Sequence, residues 1–223
     1  ANKTGQNCGI YSVCSAHPAV LRAALTQAKQ DQQLLLIEAT ANQVNQDGGY
    51  TGMQPADFIN YVSSLAVDIG FAREHLLFGG DHLGPVVWKA LPAAQAMAKA
   101  ERLIEVYVAA GFSKIHLDTS MACADDVLPL SDALIAARAA RLCQVAEQTA
   151  LRHFGQSELC YVIGTEVPAP GGVAHLEQHL AVTAVSHVAQ TLADHQQAFA
   201  TLGLFADVWQ RVIAVVVQPG VEF

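Results

Sequence analysis

Six short apolar, β-branched-rich runs alternate with segments of helical period, and that alternation restricts the fold more than any other feature. The runs are Gly9–Cys14, Leu34–Ala39, Leu76–Gly79, Lys114–Leu117, Cys160–Gly164 and Arg211–Val217. Between them lie Pro18–Lys29, Pro55–Ile69, Ala93–Ala110, Asp132–Phe154 and Ser186–Leu202, each with helical spacing of apolar residues. Two of these open on Pro, whose missing N–H costs nothing at a helix start. Gly70, Gly111, Gly155 and Gly203 stand just past four helix ends, where a left-handed cap is needed. Strands alternating with helices predict a parallel sheet. Such strands are buried on both faces and read as continuous apolar runs, as Val212–Val217 does.

The polar residues are placed at one end of this pattern. Little of chemical interest precedes each run, whereas Gly, Pro and polar side chains follow it. Examples are Ser15-Ala16-His17-Pro18 after the first run and Thr165–Gly172 after the fifth. Long polar loops at the carboxyl ends of parallel strands are the arrangement of a TIM-type (β/α) barrel, whose active face lies there. A doubly wound sheet would more often carry a Gly-rich phosphate turn after strand 1, in place of Ser-Ala-His-Pro. No tandem repeat or linker interrupts the 223 residues. The expectation is therefore one α/β domain over residues 1–223, a partial barrel with six of the eight βα units, truncated after strand 6. An unclosed sheet leaves strands 1 and 6 as edges, so either the chain is a fragment or something covers them.

With 52% hydrophobic and 14% charged residues, the chain is a buried globular protein, not a disordered one. A net charge of −8 and the lack of any basic run argue against nucleic acid or an anionic membrane as partner. No apolar stretch reaches membrane-spanning length. The start, Ala1–Gln6, has neither an apolar h-region nor an initiator Met, so no signal peptide is expected and the natural start is expected upstream. The five cysteines include no Cys-x-x-Cys pair. Cys14, Cys143 and Cys160 fall in strand-like or helix-like runs and read as buried free thiols of a reducing cytoplasm.

Gly79-Gly80-Asp81-His82-Leu83-Gly84-Pro85 is the stretch richest in chemistry. Neighbours on a strand point to opposite faces. At the strand's end that alternation relaxes, and Asp81 and His82 can turn to one pocket. Asp beside His suits proton transfer and metal binding alike. Glu38, Asp118 and Glu166 each stand at or near the carboxyl end of another strand, and Ser15 and His17 follow the first. These five are the substrate-binding candidates. With Asp81, the carboxylates make a pocket able to hold a cation or a polyol. His116 lies within strand 4 and has no assigned role. His175 and His179 are spaced i, i+4, as a metal pair or a solvated surface. His75, His153, His187 and His195 read as helix-end or surface residues. The lysines offer no Schiff-base nucleophile, because none lies in strand 5 or 6 and Lys114 starts strand 4 on the wrong side. No Gly-x-x-x-x-Gly-Lys-Ser/Thr loop and no Gly-x-Ser-x-Gly elbow is present.

Several stretches together resemble one family. They include Val13–Pro18, Leu36–Thr40, Asn42–Gln46, Gly48–Met53, Pro55–Phe58, Gly79–Pro85, Ala110–Asp118, Tyr161–Pro168 and Val217–Phe223. The chain is identified from them as similar to the Z subunit of D-tagatose-1,6-bisphosphate aldolase, over essentially its whole length. Family members are longer, so the resemblance covers their N-terminal half.

That resemblance implies a class II aldolase-type TIM barrel. It implies a non-catalytic subunit supporting the activity and stability of a separate, zinc-dependent catalytic subunit in galactitol and N-acetylgalactosamine catabolism. The implied partners are that subunit, a sugar phosphate and further copies of the chain. In catalytic class II aldolases an Asp-His pair ends strand 3, with Asp moving the proton and His binding zinc. Asp81 and His82 resemble that pair. Two further His ligands come from strands 6 and 7 in those enzymes, whereas strand 6 here ends Gln218-Pro219-Gly220. Zinc in the aldolase complex and no cofactor in this chain are both open. A metal-dependent lyase in its own right is the alternative. Some relatives carry an older label as tagatose-6-phosphate kinases, which the absence of a phosphate-cradling loop disfavours.

Overall fold

Every predicted strand is present, and each pairs in parallel with its successor. The structure, a computed structural model, describes residue 5 and residues 9–164, 182–204 and 206–218. The strands are β1 (Ser12–Cys14), β2 (Leu35–Thr40), β3 (Leu76–Leu83), β4 (Lys114–Leu117), β5 (Cys160–Gly164) and β6 (Val212–Val216). They form one sheet in the order β1-β2-β3-β4-β5-β6, all parallel. The order never reverses. A doubly wound sheet must reverse at its switch point, so this is the winding of a partial TIM-type barrel, with its helices on one face.

The helices are α1 (Pro18–Asp31), α2 (Pro55–Ile69), α3 (Ala93–Ala110), α4 (Asp132–Phe154), α5 (Val185–Thr201) and the short α6 (Ala206–Gln210). α2, α3 and α4 keep their predicted boundaries, each followed by a glycine in the left-handed region. α1 runs on to Asp31 because Gln32 adopts the left-handed cap itself, at φ 54°. The sequence gives no sign of this, since Gln rarely takes that role. Among the described residues, no helix is long and apolar enough to cross a membrane.

The core lies between the sheet's outer face and the helices. Alternation along the strands sends Ile37, Phe78, Ile115 and Tyr161 into it. There Phe58, Phe78 and Tyr107 surround Phe112, with ring centroids 6.3, 5.8 and 4.4 Å from it. Each large side chain so buried contributes about 2 kcal/mol. The Tyr107 hydroxyl donates to the Val44 carbonyl at 2.8 Å, which ties α3 to the loop after β2. At the amino ends of β5 and β6, Arg211 forms a two-pronged pair with Glu147 of α4, both contacts at 2.8 Å. The same guanidinium donates to the Leu159 carbonyl at 2.7 Å.

Two expectations give way at the edges. β6, read as buried on both faces, is partly exposed, with Ile213 at 55%. Cys14, read as buried, is exposed along β1. Both strands border the sheet, and among the described residues no further strand pairs with either. Cys14, Cys123, Cys143 and Cys160 are free thiols.

Candidate functional site

The inner face of the sheet carries charge in two layers. In the lower layer the register sets Cys14, Glu38, Gly79, Lys114 and Cys160 side by side. Lys114 Nζ lies 2.6 Å from Glu38 Oε1, off the line of a good hydrogen bond, so the contact is an ion pair. Gly79 stands between them, and a Cβ there would collide with the Glu38 carboxylate. Lys114 also reaches to 3.8 Å from Asp81 Oδ1. This corrects the reading of Lys114 as lying on the wrong side. It starts β4, but its inward-facing stem carries the ammonium up to the site. It lies between two carboxylates as their ion-pair partner.

The upper layer is shaped by a bulge. Gly80 pairs with Ile115 and Leu83 with Leu117, so β3 takes three steps where β4 takes two. The extra residue is accommodated at His82, which sits at φ 47°. Such a conformation costs a non-glycine residue about 1–2 kcal/mol. Its return is geometric: the alternation breaks, and adjacent Asp81 and His82 face one pocket. Gly84 closes the stretch against the Asp118 backbone, where a Cβ would overlap the Asp118 carbonyl oxygen.

Four side chains meet here. Asp81 Oδ1 is 3.1 Å from His116 Nδ1, and Asp81 Oδ2 is 3.9 Å from His82 Nε2. His82 Nδ1 is 2.8 Å from Asp118 Oδ2. The other Asp118 oxygen accepts from the Ser120 hydroxyl at 2.7 Å and the Ser120 N–H at 3.2 Å. His116, 1% exposed, places Nε2 2.9 Å from the Gly164 carbonyl oxygen.

These contacts assign protons. A carbonyl only accepts, so His116 Nε2 carries a hydrogen. The His82 backbone N–H approaches His116 Nδ1 at 3.2 Å and needs a lone pair there, while Asp81 needs a proton at the same atom. One proton shared between Asp81 and His116 is the quantity that decides between them. Asp118 likewise fixes His82 with its hydrogen on Nδ1, and Nε2 turns to the Asp81 side. Burial alone would raise the Asp81 carboxyl. The His116 hydrogen bond and the charges of His82 and Lys114 outweigh it and hold Asp81 well below the usual carboxylate range. Asp118 is also lowered: burial opposes, and its bonds from His82 and Ser120 prevail. Cys14 is exposed as a residue, but its thiol sits beneath the inner-face carboxylates, where partial burial, then Asp81 and Glu38, push it up to about 12, so it is no nucleophile.

Asp81, His82 and His116 each offer one ligand atom within 4.8 Å of the others. Two nitrogens and an oxygen suit zinc. The Asp118–His82 contact is the outer support that metal-bound imidazoles use. Asp81 and His82 therefore fit a divalent cation. His116 has both ring nitrogens engaged by protein groups.

The remaining candidates lie apart from this network. Ser15 Oγ accepts from the His17 N–H at 3.1 Å, and His17 Nδ1 caps α1 by accepting from the Ala19 N–H at 3.2 Å. Glu166, His175 and His179 fall outside the described residues. Lys114 and His116 are the site residues that sequence reasoning missed. The signal was the i, i+2, i+4 spacing of Lys114, His116 and Asp118, which puts all three on one side of β4.

The family described as D-tagatose-1,6-bisphosphate aldolase subunit GatZ/KbaZ-like matches residues 1–223. The chain belongs to that family. A GatZ/KbaZ-like chain is thus what the resemblance along the sequence anticipated. It is also similar to a solved structure, a probable tagatose 6 phosphate kinase from Sinorhizobium meliloti 1021. That likeness holds at 50% identity, with a TM-score of 0.85, over 97% of this chain and 50% of that one. The chain therefore spans about half the length of that relative.

Proposed function

We propose that this chain is part of an aldolase-associated subunit that supports a separate catalytic subunit in galactitol or N-acetylgalactosamine breakdown. The setting is the reducing cytoplasm. Its substrate-side ligand is a sugar phosphate, for which Glu38, Asp118, Ser15 and His17 are the candidate contacts together with Glu166, which lies outside the described residues. One observation carries the supporting role. His116 spends both ring nitrogens on Gly164, Asp81 and the His82 backbone. The pocket then offers a cation Asp81 and His82, whereas catalytic zinc sites use three protein ligands.

Zinc held by Asp81 and His82 would polarise a ketose carbonyl. The chain's own groups act around that. In the supporting role the Asp81 carboxylate holds the His116 ring at Oδ1; only in the lyase reading below would it take or return a proton. Asp118 holds the His82 ring in one orientation. Lys114 balances the charge of Glu38 and Asp81.

A second reading is a metal-dependent lyase in its own right, favoured by the grouping of three donor atoms within 4.8 Å. Metal analysis and an aldol-cleavage assay on the full-length protein, alone and with the catalytic subunit, separate the two. The expected result is no turnover alone, and a longer-lived, more active catalytic subunit in the mixture. Stoichiometric zinc with turnover alone overturns the proposal in favour of the second reading. In the complex, Asp81→Asn should leave activity within about twofold; a loss on the order of 10²-fold or more would assign general acid–base chemistry to this chain. The kinase description of the Sinorhizobium relative has no counterpart in a phosphate loop here.

A further inference from the structure

One ammonium sits among the carboxylates of the inner face. We propose that Lys114 sets the affinity of this site for a divalent cation, as a built-in counter-ion against which a metal held by Asp81 and His82 must bind. This rests on the reading that Asp81 and His82 hold such a cation, and it concerns how tightly they do so.

Three strands fix where the ammonium lies. Glu38 of β2, Gly79 of β3 and Lys114 of β4 stand in register. Gly79 leaves the gap in which the other two meet, since a Cβ there would collide with the Glu38 carboxylate. Lys114 Nζ is 2.6 Å from Glu38 Oε1, with the two side chains 15% and 4% exposed. That oxygen is buried and has no hydrogen bond among the described residues. The ammonium is therefore the charge that compensates it, and water screens the pair little.

The same ammonium faces the metal-binding carboxylate. Nζ is 3.8 Å from Asp81 Oδ1, the oxygen that meets His116 Nδ1 at 3.1 Å. A divalent ion on Asp81 shares that carboxylate with a cation already paired to it. Two positive charges on one partly buried carboxylate repel, and each reduces what the other gains there. Among the described residues, no other Lys or Arg pairs with Glu38 or Asp81. Asp118 does not relieve the competition, because its oxygens are engaged by His82 and Ser120.

A purely structural Lys114 would do no more than neutralise Glu38 beneath the site. The two roles differ in sign. Removing a structural lysine loosens the layer under Asp81 and lowers metal affinity. Removing a counter-ion raises it.

Zinc affinity of the full-length protein, measured by competition with a chromophoric chelator at pH 7, tests this. Lys114→Met should bind zinc at least about tenfold more tightly than wild type, the order of magnitude for a unit charge and a divalent ion a few ångströms apart even at high dielectric. His82→Ala, which loses a ligand, should bind at least about tenfold more weakly. Zinc bound by Lys114→Met alone also supports the proposal. Wild type that binds zinc while Lys114→Met binds it equally or less tightly overturns the proposal and leaves the reading of Asp81 and His82 standing. No binding by either protein, or binding that His82→Ala leaves unchanged, overturns both. Were Lys114→Met unfolded, with Glu38 left unpaired, the comparison moves to Glu38→Gln with and without Lys114→Met. The same tenfold gain is expected there, and its absence overturns the proposal.

Discussion

Asp118 holds the ring of His82 by a 2.8 Å contact. Removing it frees the ring to turn, so, on the proposal that Asp81 and His82 hold zinc, Asp118→Ala should weaken that binding by roughly 10–100-fold in a competition titration. Ser120→Ala, which removes one of the two bonds to the other Asp118 oxygen, should cost less. A second pair makes a prediction about pH. Arg138 binds both oxygens of Asp126, at 2.6 and 2.9 Å, and the Cys123 N–H donates at 2.6 Å. The Arg138 bonds first, then that N–H, hold Asp126 down to about 2 from an ordinary 3.8. A lowered carboxyl stabilises the fold in full above its unfolded value and loses that effect as pH falls through its folded one. The melting temperature of the wild type should therefore drop between pH 4 and pH 2 more steeply than that of Asp126→Asn. At this scale the sequence was half legible. Asp81 and His82 stood out as neighbours between glycines. His116 and Lys114 did not, because facing inward depends on a strand's register against its neighbours, which one strand's residues do not contain.

At the scale of the element, β3 shows what the sequence left out. The run Leu76–Gly79 is read as a strand because it is apolar, and the strand continues to Leu83 through charged residues. Polar side chains continue a strand when they have ion-pair partners inside a barrel, and periodicity has no term for that. The helices were more legible, since Pro starts and Gly stops are local features. Gly79 in β3 and Gly84 just past its end rank differently as substitution sites. Gly84→Ala drives a methyl into the backbone of Asp118, while Gly79→Ala meets the end of the Glu38 side chain, held by Lys114. Urea unfolding should show both destabilised, Gly79→Ala by about 1–3 kcal/mol and Gly84→Ala by more. Equal losses would mean that the Asp118 backbone yields as readily as a side chain.

At the scale of the whole molecule, the parallel, unreversed strand order was legible from the alternation of elements and the one-sided placement of polar loops. What closes on the two edges was not, since an edge strand and a central one read alike when both are apolar. The last strand is held at its start by Arg211, which joins β6 to α4 and to Leu159. Arg211→Ala leaves the Glu147 carboxylate largely buried without its cation, a loss of about 3 kcal/mol. Amide exchange should then quicken through β6 before it does in β2 or β3. The same long-range tying occurs at the top of the barrel, where the His116 ring spans from the Gly164 carbonyl of β5 to Asp81 of β3. The ring is a rigid plate gripped at both ends, so it works as a strut. Whatever draws the end of β5 outward pulls the plate with it and lengthens the contact at Asp81. Mechanical load at one strand end thus becomes a change in where a proton rests two strands away, and the first sign of an object docking on β5 would be electrical.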